Sequence, residues 1–118
     1  MPVSESFLAF VLEQLEQSTR DITSKRMFGA VGVYAGDRFF AVIGDDTLYF
    51  KVDDQTRPVF EAAGMTPFQP YGPEGETTGY YTVPLAVLED VDELRSWVRD
   101  AIAVAERARK KGRRRRGP

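Results

Sequence analysis

Cysteine and histidine are both absent from this 118-residue chain. Without cysteine there are no disulfides, no thiolate metal sites and no cysteine nucleophiles. Without histidine the commonest general base and metal ligand is gone, and with it every Ser-His or Cys-His arrangement. Catalysis would have to rest on Asp, Glu, Lys, Tyr or Ser, and none of these stands in a recognisable arrangement. No catalytic residue, cofactor or metal site is expected, and the chain reads as non-enzymatic.

Four groups of residues remain as candidates for binding. In Arg26-Met27-Phe28-Gly29, Arg26 is a possible contact for an anion or a partner, with Gly29 and Gly32 letting a ligand or backbone approach closely. The plainer reading has Met27 and Phe28 in the core, the glycines at a bend, and Arg26 paired with a nearby acid. No glycine-rich loop leads directly into a helix, so a phosphate cradle is unsupported. Asp45-Asp46 and Asp53-Asp54 could hold a hard cation or share a proton. Aspartate is also favoured in hairpin turns and at helix N-caps, and neither pair has calcium-loop spacing, so turn and cap roles are expected.

The third group is Tyr34, Tyr49, Tyr71, Tyr80 and Tyr81, with Lys25, Arg38 and Lys51 near them in sequence. Such residues on an open sheet face can stack on single-stranded nucleic acid. They can equally pack with rings inside and hydroxyls at the edge, or line a homodimer interface, where tyrosine is enriched. Tyr34, Tyr49 and Lys51 join Arg26, Gly29 and Gly32 as candidate partner contacts. The fourth group is Lys110, Lys111, Arg113, Arg114, Arg115 and Arg116. It reads either as a cationic arm for nucleic acid, salt-sensitive and sequence-blind, or as a solubilising tail or one that folds against the protein's own acidic surface.

Charge separates this last group from the rest. The formal net charge of -2 hides 8 basic groups against 1 acidic group in residues 106–118, a net of +7, and 8 against 17 in the remainder, a net of -9. The acidic body should repel a phosphate backbone and the basic end attract one. With 42% hydrophobic residues the body can fold around a core, and its length suits one domain. No run approaches the roughly 18 apolar residues of a membrane span. The start, Met1-Pro2-Val3-Ser4-Glu5, lacks a basic segment before an apolar one, so a cytoplasmic protein without a signal peptide and without membrane contact is expected.

The elements that position these groups follow from periodicity. Phe7, Leu8, Val11, Leu12 and Leu15 form one helical stripe, with Ser4 as cap, over about 4–19. Runs at 30–35, 38–43 and 47–52, separated by Gly36-Asp37 and Gly44-Asp45-Asp46, predict an antiparallel meander. In the third run Leu48, Phe50 and Val52 share one face, and Thr47, Tyr49 and Lys51 the other. Asp53 or Asp54 caps a helix of about 54–63, with Pro58 in its first turn and Gly64 ending it. Phe68 and Tyr71 suggest a short edge strand and a loop. Tyr80-Tyr81-Thr82-Val83 reads as a last strand stopped by Pro84. Asp90 and Glu93 open a final helix whose stripe of Leu94, Trp97, Val98, Ala101, Ile102 and Ala105 ends at Ala105 or Ala108. The order α-β-β-β-α-β-β-α predicts a two-layer α+β sandwich, an antiparallel sheet with helices packed on one face. Its expected core is Phe7, Leu12, Leu15, Phe40, Val42, Leu48, Phe50, Phe60, Val83, Leu94, Trp97, Val98 and Ile102.

The stretch from Arg26 to Tyr34 (RMFGAVGVY) resembles the opening of the TfoX/Sxy N-terminal domain family. So do Asp45 to Asp53 (DDTLYFKVD), Phe60-Glu61-Ala62-Ala63-Gly64, Tyr80-Tyr81-Thr82-Val83-Pro84 and Leu88-Glu89-Asp90. The resemblance spans roughly 5–108 and implies a fold like that of YjbR-type proteins and type III secretion chaperones. It further implies a regulatory or adaptor role through protein contacts. The best-known members are competence regulators thought to act as transcriptional co-activators beside the catabolite activator protein. Those members carry a second, helical domain. Here a basic tail stands where it would begin, so the co-activator role does not carry over intact. The expected organisation is one domain over 1–108 and a disordered basic tail over 109–118. The expected partners are a protein, with the transcription machinery as a candidate, weak nucleic-acid contact by the tail, or a second copy of the chain.

Overall fold

The computed structural model describes residues 3–27, 29–68 and 79–115, with side chains as far as Lys110. Helix α1 (Glu5–Ser18) begins where Ser4 Oγ accepts a hydrogen bond from the Phe7 amide. The Ser4 amide itself donates to Asp46 at 2.7 Å, tying the helix start to a sheet turn. Val11 and Leu15 are fully buried, while Phe7, Leu8 and Leu12 pack partly buried beside them.

A meander of strands β1 (Ile22–Met27), β2 (Ala30–Ala35), β3 (Arg38–Gly44), β4 (Thr47–Lys51) and β5 (Tyr80–Thr82) follows, antiparallel throughout and ordered as in the chain. The two-layer α+β architecture is as expected, with one more strand in the meander. β1 was not anticipated, because Ile22-Thr23-Ser24-Lys25-Arg26-Met27 shows no apolar alternation. It is held by six backbone pairings, from Ile22 with Ala35 to Met27 with Ala30, and a ladder needs no side-chain pattern. Asp45 and Asp46 both adopt φ of +51°, the left-handed pair that a tight hairpin turn requires. Their expected role as turn residues is what the structure shows.

Pairing between β2 and β3 shifts by one residue, from Val33 opposite Ala41 to Tyr34 opposite Phe39. Phe40 is the extra residue of this bulge, and it lies at zero exposure in the core beside Ala41. Phe39 and Val42 are consequently left on the opposite face. Val42 is buried as expected, but on the sheet face away from Phe40, level with Gly32 and Tyr49.

Helix α2 (Arg57–Ala62) is shorter than expected. Its N-cap is Thr56, not Asp53 or Asp54 as expected. Asp53 Oδ1 instead accepts from the Gln55 and Thr56 amides in the turn just ahead of the helix, Pro58 sits in its first turn, and Gly64 follows with φ of +77°. The anticipated edge strand at Phe68 is reduced to a single bridge, Pro67 with Tyr81, and Tyr71 falls outside the described residues. A short α3 (Leu85–Leu88) precedes α4 (Val91–Arg115). Asp90 Oδ1 accepts from the Asp92 and Glu93 amides and so caps α4, as its spacing predicted.

Leu94, Val98, Ala101 and Ala105 of α4 pack with α1 against one sheet face, around Phe40, Ile43, Leu48 and Phe50. Trp97 and Ile102, expected in the core, are partly buried at its margin. α4 does not stop at Ala108 but continues to Arg115, where a disordered tail from residue 109 was expected. Arginine and lysine are good helix formers, and cations are stabilised near a helix C-terminus by its dipole.

Candidate functional site

The sheet face away from α1 and α4 carries most of the candidate partner residues. Gly32, Val42 and Tyr49 lie opposite one another across β2, β3 and β4, Tyr34 opposes Phe39, and Lys51 opposes Tyr80. Because cross-strand partners share a face, these residues form one surface. Tyr34 stacks on Phe39 with ring centroids 5.0 Å apart, Phe39 lies 5.9 Å from Tyr80, and Tyr49 lies 4.6 Å from Phe68. Burial pushes the Tyr49 phenol up, and it pushes Tyr80, further raised by Tyr34, up to about 12. Tyr80 is buried, whereas Tyr34, Phe39 and Tyr49 are half-buried and stay open on this face.

The remaining candidates separate. A Cβ on Gly32 would stand 2.7 Å from Met27 Cε and 3.1 Å from the Phe39 ring. The glycine is therefore bare because its own neighbours close over it, not to admit a ligand. Gly29, with φ of +78°, makes the turn between β1 and β2. Arg26 is exposed on β1 and has no carboxylate partner among the described residues. Tyr81 faces the helices, its ring near Phe60 and its hydroxyl donating to Glu61 at 3.0 Å. Lys25 sits opposite Gly32 at the sheet edge. Among the described residues no group of three or more acids is placed to hold a metal ion.

A second cluster, which sequence reasoning missed, forms where α4 runs past the ends of β3 and β4. Arg107 donates through Nε to Asp53 Oδ2 at 2.8 Å, and its Nη2 lies at the same 2.8 Å from that oxygen. Arg109 pairs with Asp37, and Arg38 bridges Asp37 and Glu106. The Arg109 hydrogen bond holds the Asp37 carboxyl below its usual range. Burial works to raise Asp53, but the Arg107 hydrogen bond and the Gln55 and Thr56 amides outweigh it and hold that carboxyl low as well. Arg107 and Arg109, just ahead of the basic candidates Lys110, Lys111 and Arg113 to Arg116, thus fold against the acidic body. Lys110 is exposed, Lys111 and Arg113 to Arg115 lie on the helical backbone, and Arg116 is outside the described residues.

Between α4 and the segment 51–55 lies an open groove of about 570 Å³, lined by Lys51, Val52, Asp53, Val104, Arg107 and Lys110 among others. A smaller one of about 310 Å³ adjoins it beside Arg38, Phe39 and Arg109, with Lys51 and Ala108 common to both. Lys51 is half-buried, with Nζ 5.0 Å from the Tyr80 ring centroid, and burial lowers its pKa. Like Phe39, it belongs both to the aromatic face and to the charged end.

Among the described residues no helix is long and apolar enough to cross a membrane. A search of the curated proteins finds no match. The model of the TfoX N-terminal domain matches residues 13–105, which take in the C-terminal part of α1, the whole sheet and the buried turns of α4, and stop short of the basic end. With well over half of its 118 residues inside that match, the chain belongs to the TfoX N-terminal domain family.

Proposed function

We propose that this domain is a cytoplasmic regulatory or adaptor module that works by contact with another protein, not by catalysis. Its contact surface is the sheet face of Tyr34, Phe39 and Tyr49, backed by the buried Tyr80. The observation that carries this reading is the aromatic row itself, with rings 5.0 and 5.9 Å apart and Lys51 at its end. Rigid aromatic rings beside a cation are what protein–protein contacts use as anchors. The missing histidine and cysteine favour contact over chemistry as well. The competence regulators that the sequence resembles point to transcription as the process regulated. A photo-crosslinking residue in place of Tyr34 in cells should give a discrete protein adduct, and the same residue in place of Glu13, exposed on α1, should not. No adduct at Tyr34, or equal labelling from both positions, would refute the assignment of this face. A crosslink between two copies of the chain would make the partner a homodimer.

The continuation of α4 to Arg115 favours a second reading, direct DNA binding by its basic end. On this reading affinity falls steeply with salt, with a log–log slope of about -0.9 per phosphate neutralised. Replacing Arg113 to Arg116 by glutamine should abolish binding. Equal binding by the full chain and that variant would rule it out.

A further inference from the structure

The ladder between β3 and β4 ends at Ala41 opposite Phe50, while Lys51 remains paired with Tyr80 of β5. The two strands therefore part at this end of the sheet, and the two adjoining grooves lie where they part, with Val104, Ala105 and Ala108 of α4 along them. The acids around the grooves are already matched: Asp37 by Arg109 and Arg38, Glu106 by Arg38, Asp53 by Arg107, and Asp54 by Arg57. Lys51 and Lys110 are the two cations left over, with no ion-pair partner among the described residues. An exposed ammonium such as that of Lys110 is well hydrated. Lys51 is not so placed, because its charge is half-buried and meets only the weak attraction of a ring face at 5.0 Å.

We propose that the joined grooves bind a small dianion, the head of a phosphate monoester or a dicarboxylate, between Lys51 and Lys110, with the ligand's body against Val52, Val104 and Ala108. The larger groove, at about 570 Å³, falls within the range of small-molecule sites. Two surplus positive charges match two negative ones. The walls are apolar at Val52, Val104 and Ala108 and polar at the rim, the usual division between affinity and orientation. Arg107 and Arg109 are held in place by Asp53 and Asp37, so they line the mouth as fixed dipoles while the two lysines supply the unmatched charge. This site is separate from the protein contact proposed above and stands or falls independently of it.

The test is amide NMR of the isotope-labelled full chain, titrated at constant ionic strength with phenyl phosphate in one arm and succinate in the other. The expected result is saturable shifts confined to residues 51–55 and 104–110, absent with sodium chloride, and the stronger arm identifies the head group. Lys51→Met, which keeps the apolar stem, should weaken binding about tenfold or more, as loss of a bond to a charged group does. Lys110→Gln should weaken it severalfold. In the wild-type chain the Lys51 side-chain titration should move to higher pH when the probe is bound, a readout that needs no variant to fold. No saturable shift with either probe, or undiminished binding by Lys51→Met and Lys110→Gln, would overturn the proposal. So would a short DNA duplex that shifts residues 111–115 while leaving the groove amides unmoved and displaces the small probes.

Discussion

Asp53 divides its two oxygens between two tasks, and that division can be measured. Oδ1 accepts from the Gln55 and Thr56 amides and shapes the turn into α2, while Oδ2 accepts from Arg107 Nε and lies beside its Nη2. Asp53→Ala removes both. Loss of the oxygen that holds the turn should cost about 1 kcal/mol, as loss of a hydrogen-bond acceptor does. Loss of the ion pair, whose side chains are 39% and 30% exposed, should cost about 0.5–1 kcal/mol after solvent screening. Asp53→Asn keeps an acceptor for the turn but turns a neutral amide toward the guanidinium, so only the second loss, about 0.5–1 kcal/mol, is expected. Urea unfolding of wild type, Asp53→Asn, Arg107→Met and the double variant isolates the coupling.

The pH dependence adds an independent check on sign. A carboxyl held below its unfolded value contributes stability that is present above that value, near 3.9, and is lost as pH falls through the lower folded value. Asp53 and Asp37 are both held low. The advantage of wild type over Asp53→Asn should therefore be full above about pH 5 and fade below about pH 4. It should also shrink at high salt. If Arg107→Met costs as much in the Asp53→Asn background as in wild type, or if the advantage persists unchanged at acid pH, the ion pair contributes nothing and the reasoning fails.

Three further outcomes follow from the sheet. Phe40→Ala should cost about 3–5 kcal/mol because it empties a fully buried position. Phe39→Ala, one residue away across the bulge, should lose only its contacts to Tyr34 and Tyr80, about 0.5–1.5 kcal/mol each beyond area burial; equal costs in urea unfolding would contradict the bulge. Gly32→Ala should destabilise by about 1–2 kcal/mol. The flexible Met27 tip can move aside, but the Phe39 ring at 3.1 Å is harder to displace, and a Tm at or above wild type would count against that packing. Tyr80, raised to about 12, contributes stability that is present below pH 10 and lost as pH rises from there toward 12. Tyr80→Phe should show a shallower alkaline loss, read by circular dichroism, and an unchanged alkaline limb would remove Tyr80 as its source.

Where the sequence was legible, the determinant was local. The stripe of Val11 and Leu15, the Asp45-Asp46 turn, the Leu48/Phe50 alternation and the Asp90 cap each rest on residues within a few positions of one another. Two misplacements came from the backbone. β1 is held by a ladder that its polar side chains do not announce, and a single bulge residue put Phe40 and Val42, two positions apart, on opposite faces. For the site, the alternation that put Tyr49 and Lys51 together was visible. The closure of Met27 and Phe39 over Gly32 was not, because it depends on neighbouring strands lying in register. Least visible were the ion pairs, whose partners lie 54 residues apart for Arg107–Asp53 and 72 for Arg109–Asp37.

Those same ion pairs explain how α4 can outrun its own apolar stripe. As far as Ala105 the helix is held by buried contacts, and the family match ends at the same residue. Beyond it, attachment passes to Arg107 and Arg109, whose partners Asp53 and Asp37 sit on the acidic body inside the matched region. The helix is therefore fastened by apolar packing up to Ala105 and by charge after it, and the two fastenings respond to different variables. Salt weakens the second and spares the first. Raising salt should thus increase amide exchange in residues 106–110 while residues 94–105 stay protected. Uniform loss of protection along α4 would mean that the last turns are held by something other than these pairs.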